Sequence, residues 1–495
     1  MPGRHTLRAP SRRPSPAILL AAPTKSSIWP REAALPQRAW IGQGSEVPSA
    51  HAVKRGGITR LFWQPIEPPA AYIKNNEEDR NETVSGLCCA SEAWRLMAAN
   101  SYLVRAPLLD PKQQVIGYKF AWQKTGESGD LAREAEQHQL FSFVAEHVGD
   151  ARLGLLFLDA HSAVLSAAAL QILPPASTVL VLNRADLVDE DHLAPAAGLR
   201  RRGFGLALRD ADLAWLESDE TVVPLITHVE LGADHPELAP ISKLARSRKI
   251  PLSVVVNRFP GWREFDACAL MGLNGIFGDI CRTPRLPNPA EKPSPQAVLI
   301  LQLMQLVQDN ADIRHLEKIL NQDGSISEKL LHHMNSARFG LDGRIESMRQ
   351  AVAMLGYKPL FRWLSLLLAI TSKSGFSPAL LQAAIIRGRF IELLGQGLLH
   401  RSEADNLFVV GTFSLLDQLL GIPVDQVFSQ VVLPEPVALA LRSREGVYGP
   451  FLALAEACEQ DDGGAEALAS ALSMDAQRVN QAHFAAMVWA QNIKL

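Results

Sequence analysis

An α/β domain followed by an all-helical domain is the fold class predicted by this 495-residue sequence. Three observations predict it. Short apolar runs alternate with helical windows from Tyr102 to about Arg285. Prolines 284, 287, 289, 293 and 295 then punctuate the chain, and amphipathic helical patterns without strand signals follow.

The candidate strands are Val115–Trp122, Gly154–Leu158, Thr178–Leu182, Phe204–Leu208, Val222–His228, Leu252–Val256 and Gly275–Phe277. Helical windows lie between them at Leu131–Val148, Ala163–Ile172 and Pro236–Ser247. This alternation argues for βα units and a mostly parallel sheet. A closed barrel is the natural solution, and an open doubly wound sheet has the same periodicity. Residues 286–295 read as a spacer, because each proline biases its predecessor to extended backbone. Such a stretch spans up to roughly 30 Å as polyproline II.

The helical part is most legible between Asn321 and Gly356. Ser325 and Glu328 have capping-box spacing, Ile326, Leu330, Met334 and Ala337 recur on one face, and Gly340 predicts the stop. A second helix carries Ile345, Met348, Val352 and Leu355, with Gly356 as its end and Pro359 beyond. Together they predict a helical hairpin.

Residues 1–96 differ from the rest. They are rich in Pro, Arg and Ser and lack sustained periodicity, as expected of a disordered segment or an over-extended reading frame. Ser11-Arg12-Arg13 before Ala17–Ala22 does not make a signal peptide, since the apolar run is short and flanked by prolines. Met97 is the expected start; a disordered basic arm is the alternative.

A hydrophobic fraction of 47%, 20% charged residues and a net charge of −3 are those of a soluble globular protein. That charge offers no broad attraction for nucleic acid or anionic membrane, so neither is an expected partner. No apolar run approaches the roughly 18 residues of a spanning helix. The five cysteines, 88, 89, 268, 281 and 458, form neither a CxxC pattern nor a disulfide framework, so a reducing cytoplasm is expected.

Asn321-Gln322-Asp323, Leu330-Leu331, Asn335-Ser336-Ala337, Phe339-Gly340, Ala351 and Leu355-Gly356 follow one another in the order of the HDOD domain. The chain from about Gln296 onward therefore resembles that bacterial signalling module, with Asn335, Ser336, Ala337, Gly340, Leu355 and Gly356 as its core motif. Val104-Arg105-Ala106-Pro107, Asp110, Val115-Ile116-Gly117-Tyr118 and Gly203 to Leu208 resemble an EAL domain. This likeness favours the closed, TIM-like barrel. The resemblances divide the chain into the 1–96 extension, an EAL-like barrel at 97–285, the linker at 286–295 and an HDOD domain at 296–495.

EAL barrels hold two divalent cations with carboxylates and one Asn and cleave cyclic-di-GMP. Hard cations need several oxygen ligands, about six for magnesium. The positions matching that set here are Lys119 for the signature Glu, Asp159 for the Asn, Leu182 and Ala185 for a Glu pair, and Arg209 and Asp210 for the paired Asp. His228 and Glu230 match a Lys and Asp, Asn257 a late Glu and Phe277 a Gln. The resemblance thus implies a degenerate EAL domain with no catalytic, metal or cofactor site.

HD phosphohydrolases need a His-Asp dipeptide, and no His here precedes Asp. His332 and His333 are adjacent, so on a helix they point about 100° apart and cannot share an ion. His315 brings no cluster to complete a zinc site. Arg387, Arg389 and His400-Arg401 pair with acids or form a docking face. The expected function is a non-enzymatic signalling adaptor acting through unidentified protein partners, with homo-oligomerisation compatible. The alternatives are a cyclic-di-GMP receptor using Lys119, Arg209 and Arg258, or a residual phosphodiesterase.

Overall fold

The computed structural model describes residues 101–491 apart from 124–129, 150, 188–189, 248–251, 258, 260, 279–293, 336–344, 372–376, 422–432 and 461–462. The 1–96 extension, Met97, Arg258 and most of the proline-rich spacer therefore lie outside the described residues.

Strands β1 (Leu103–Leu109), β2 (Val115–Trp122), β3 (Leu155–Asp159), β4 (Thr178–Leu182), β5 (Gly205–Arg209), β6 (His228–Gly232), β7 (Ser253–Asn257) and β8 (Gly275–Phe277) close into a barrel in sequence order. β1 is antiparallel to both of its neighbours. The remaining neighbours run parallel, so the carboxyl ends of β2 to β8 share one rim.

β4, Thr-Val-Leu-Val-Leu, is buried along its whole length, as a parallel strand covered on both faces must be. Alternation sorts the side chains. Leu108, Phe157, Val179, Val181, Ala207, Val255 and Phe277 fill the lumen, while their sequence neighbours join the larger core under the helices. Gly154, at φ +79°, sits with its α-carbon against the Ile116 carbonyl, where a Cβ has no room.

The expected elements need three corrections. β1 carries no alternating pattern, because it packs on the helical domain on one side and in the barrel on the other. The Val222–His228 run is not a strand: Asp219 accepts from the Thr221 and Val222 amides, a turn joins Leu225 N to Val222 O, and β6 begins only at His228. Pro224 inside that run interrupts strand pairing. The Ala163–Ile172 window becomes two 3₁₀ turns, Ser162–Ser166 and Ala168–Gln171, since Ala167 between them is extended (ψ 137°).

Helices α1 (Asp130–Val148), α2 (Glu190–Arg202), α3 (Leu213–Ser218), α4 (Leu238–Ser247) and α5 (Trp262–Leu270) accompany the barrel. The helical domain comprises α6 (Pro295–Gln308), α7 (Ile313–Leu320), α8 (Gly324–Met334), α9 (Met348–Leu355), α10 (Tyr357–Thr371), α11 (Pro378–Gly395), α12 (Arg401–Phe413), α13 (Leu416–Leu420), α14 (Glu435–Ser443), α15 (Gly449–Ala457), α16 (Ala465–Ala471) and α17 (Ala476–Gln491). Ser294 caps α6, with Pro295 at its first position.

α8 starts differently from the expected capping box. Asp323 Oδ1 accepts from the Ser325 amide at 2.9 Å and from its hydroxyl at 2.6 Å, so Asp323, not Ser325, satisfies the first turn. α9 is capped by Ser347, and Gly356 closes it at φ +81°.

Barrel and helical domain meet along β1 and β2. Asn480 of α17 accepts from the Leu103 amide and donates to the Ser101 carbonyl, both at 2.8 Å. Gln123, just past β2, donates to the Ala457 and Gln460 carbonyls and accepts from the Ala465 amide. Asn480 takes the place of a sheet partner at the start of β1, and Gln123 satisfies backbone groups at the end of α15 and the start of α16.

Candidate functional site at the barrel mouth

Four charged side chains from four strands converge at the carboxyl rim. Lys119 of β2 places Nζ 3.0 Å from Asp159 Oδ1 on β3 and 3.0 Å from each Glu230 oxygen on β6. Arg209, ending β5, donates from Nε to Glu230 at 3.2 Å and from Nη2 to Asp159 at 2.6 Å. Period-two alternation explains the convergence, because each of these residues lies in register with lumen-facing neighbours such as Phe157, Ala207 and Val255.

The site is layered by burial. Glu230 is fully inaccessible and Lys119 is 12% exposed, while Arg209 and Asp159 are 27% and 43% exposed. Lys119 with Glu230 forms the floor, and Arg209 with Asp159 forms the lip. Burial alone would lower the Arg209 guanidinium, but the Asp159 and Glu230 carboxylates outweigh it and hold its pKa above the ordinary value. Behind the floor, Lys119 Nζ lies 5.9 Å from the Phe277 ring centroid. His228 lies one inward position below Glu230, edge-on to Phe157, with Nδ1 2.8 Å from the Thr227 hydroxyl. Burial and the positive charge of Arg200 lower its pKa to about 4, so it is neutral.

Of the sequence-derived positions, Lys119, Asp159, Arg209 and Glu230 are brought together. Asp210 is not: it is exposed past the end of β5 at φ +50°, its amide donating to the Glu230 carbonyl. Asn257 ends β7 and is exposed. Leu182 points into the outer core, and Val181 takes the lumen position instead. Ala185 is exposed. Its neighbour Asp186, which the sequence reading missed, is buried; it accepts from the Ser162 and Asn183 amides at 3.2 and 2.9 Å and lies 3.2 Å from His161 Nε2. The Asn183-x-x-Asp186 spacing is the signal that could have found it.

In the HDOD core motif, Asn335 donates to the carbonyls of Leu331 at 2.9 Å and Ile345 at 2.7 Å and accepts from the Ile345 amide at 2.7 Å. It stitches the end of α8 to the chain entering α9. Gly356 supplies the left-handed stop; Ser336, Ala337, Gly340 and the Leu355 side chain lie outside the described residues. Arg387 and Arg389 pair with acids: Arg387 with Glu456 and Glu459, Arg389 with Glu392.

The donor set at the mouth does not fit a divalent cation. Asp159 and Glu230 are the carboxylates that reach the centre, and an ammonium and a guanidinium already take their oxygens. Among the described residues, no group of three or more His, Cys, Asp and Glu is arranged to hold a metal.

The fold joins a closed eight-stranded barrel that resembles an EAL domain to a helical HDOD domain. The HDOD domain model matches residues 293–406. A protein named cyclic di-GMP phosphodiesterase CdgJ, from Vibrio cholerae, is 26% identical over 414 residues, covering 79% of this chain and 93% of its own length. The uncharacterized protein YuxH of Bacillus subtilis is 20% identical over 410 residues, covering 79% of this chain and 98% of its own. Among solved structures, the EAL domain of Mycobacterium smegmatis DcpA aligns at a TM-score of 0.29 and 16% identity, over 36% of this chain and 90% of that domain. The chain has the EAL-plus-HDOD architecture.

The expectation that the chain is not an enzyme is corrected by these matches, since a relative aligned over nearly its whole length is named a phosphodiesterase. The one-to-one matching behind the tally of lost ligands does not hold throughout, since Leu182 faces outward and the buried acid is Asp186 rather than Ala185. Among the described residues, no helix is long and apolar enough to cross a membrane.

Proposed function

We propose that the chain is a cyclic-di-GMP signalling protein of the phosphodiesterase class, which takes the cyclic dinucleotide at the barrel mouth and passes its occupancy to the HDOD domain. The observation that carries this reading is the arrangement of Arg209 and Lys119 at the carboxyl rim, where ligands of parallel βα barrels bind. The name of the Vibrio cholerae relative supports the ligand class.

The layering supports exchange at the lip. Arg209 and Asp159 form the exposed pair, and a phosphodiester presents the same paired oxygens that Asp159 offers, so it can replace that carboxylate on the guanidinium. Lys119 stays on buried Glu230. On the opposite face of β2, Tyr118 accepts from Gln382 of α11 at 2.9 Å and Phe120 packs on Phe484 of α17 at 5.8 Å between centroids. One strand therefore carries the mouth on one side and the helical domain on the other. The output is assigned to protein partners of that domain, in a cytoplasmic setting.

Calorimetric titration with cyclic-di-GMP, followed by chromatography for the linear dinucleotide, tests the reading. Saturable binding that Arg209→Ala weakens by roughly tenfold or more is expected, corresponding to about 1.4 kcal/mol or more. Absence of both binding and product would overturn it.

A further inference from the structure

The charges at the mouth are balanced within the protein. Lys119 and Arg209 bring two positive charges, and Asp159 and Glu230 bring two negative ones. The ammonium is central to this balance, because it touches Asp159 Oδ1 and both oxygens of Glu230 at 3.0 Å. A hard cation bridging these strands would need the same oxygens. Unlike an ion, the ammonium is tethered through β2 and backed by Phe277, so it cannot exchange with solvent. Glu230 is wholly buried and shared by Lys119 and Arg209, so loss of the ammonium would leave two carboxylates to one cation at the mouth, a costly imbalance at this depth.

We propose that Lys119 is a built-in substitute for a divalent cation. It closes the site that Asp159 and Glu230 would otherwise offer to a metal and makes the barrel independent of divalent ions. The same carboxylates become a cation site when the ammonium is removed. This inference does not rest on dinucleotide recognition, since it concerns the unliganded protein.

Thermal unfolding of the full chain in EDTA and in increasing Mn²⁺ tests it. The wild type should melt at the same temperature in both. Lys119→Met should melt about 5–15 °C lower in EDTA and recover in a saturable manner with Mn²⁺. The double variant Lys119→Met/Glu230→Gln removes the excess negative charge together with the ammonium and leaves Arg209 paired with Asp159. It should regain stability lost by the single variant and ignore Mn²⁺, which keeps the test decisive where the single variant does not fold. A saturable Mn²⁺-dependent rise in the wild type would overturn the proposal. So would a single variant that melts like the wild type or does not respond to Mn²⁺, or a double variant no more stable than the single.

Discussion

Arg105 of β1 donates its Nε–H to Nε2 of His483 on α17 at 2.9 Å, joining residues 378 positions apart. Because a guanidinium can only donate, Nε2 must carry a lone pair, and the proton sits on Nδ1, which faces the Leu103 carbonyl at 3.2 Å. Burial, and then the Arg105 charge, hold the His483 pKa well below its ordinary value. The contact continues inward as a chain of charges. Arg105 reaches Glu459, Glu459 reaches Arg387 at 2.5 Å, and Arg387 and Arg444 share Glu456.

Glu459 is the anion between two buried arginines, with side-chain exposures of 5% for Arg105 and 4% for Arg387. Glu459→Ala would leave both cations short of a partner. A loss of about 3–5 kcal/mol is expected in urea unfolding, whereas a surface pair such as Arg349–Glu317 should contribute about 0–1 kcal/mol.

Acid should weaken the fold through His228. Its folded pKa is lowered to about 4, so the folded state excludes a proton that the unfolded chain accepts below its ordinary 6.5. The stability is fully present above pH 6.5 and is lost as pH falls toward 4, by about 3 kcal/mol. His228→Asn should reduce the difference between denaturation midpoints measured at pH 7 and pH 4.5.

Asn335→Ala would strand the amide and carbonyl of Ile345, which is itself buried. A cost of about 1–3 kcal/mol is expected, together with faster hydrogen exchange at the Ile345 amide. Asn335→Asp keeps the acceptor and should retain protection of that amide while losing the donor to the carbonyl.

The crossing of α11 and α12 depends on glycine. A Cβ on Gly411 would lie 2.5 Å from the Gly388 α-carbon and 2.6 Å from its nitrogen. Alanine normally favours a helix over glycine by about 1 kcal/mol. Here backbone meets backbone and cannot yield, so the clash should outweigh that gain and Gly411→Ala should destabilise by about 1–3 kcal/mol in thermal unfolding.

The sequence by itself determined the elements with strong local signals. β2, β4 and β8 lie where their apolar runs predicted, and Gly356 ends its helix as the pattern required. The motif order from Asn321 to Gly356 carried the HDOD resemblance, while helix periodicity and stop signals, which act within a few residues of one another, marked only that the stretch is helical. Lys119, Asp159, Arg209 and Glu230 were named from the EAL resemblance. Only the tertiary structure decided what they do, since four strands spread over 112 residues must close into a barrel before the ammonium meets its two carboxylates. The same holds for Asp186, whose burial depends on the turn after β4, and for the Arg105–His483 contact. Periodicity records which face a residue takes, but contact between charges depends on strand register and packing, which no local pattern encodes.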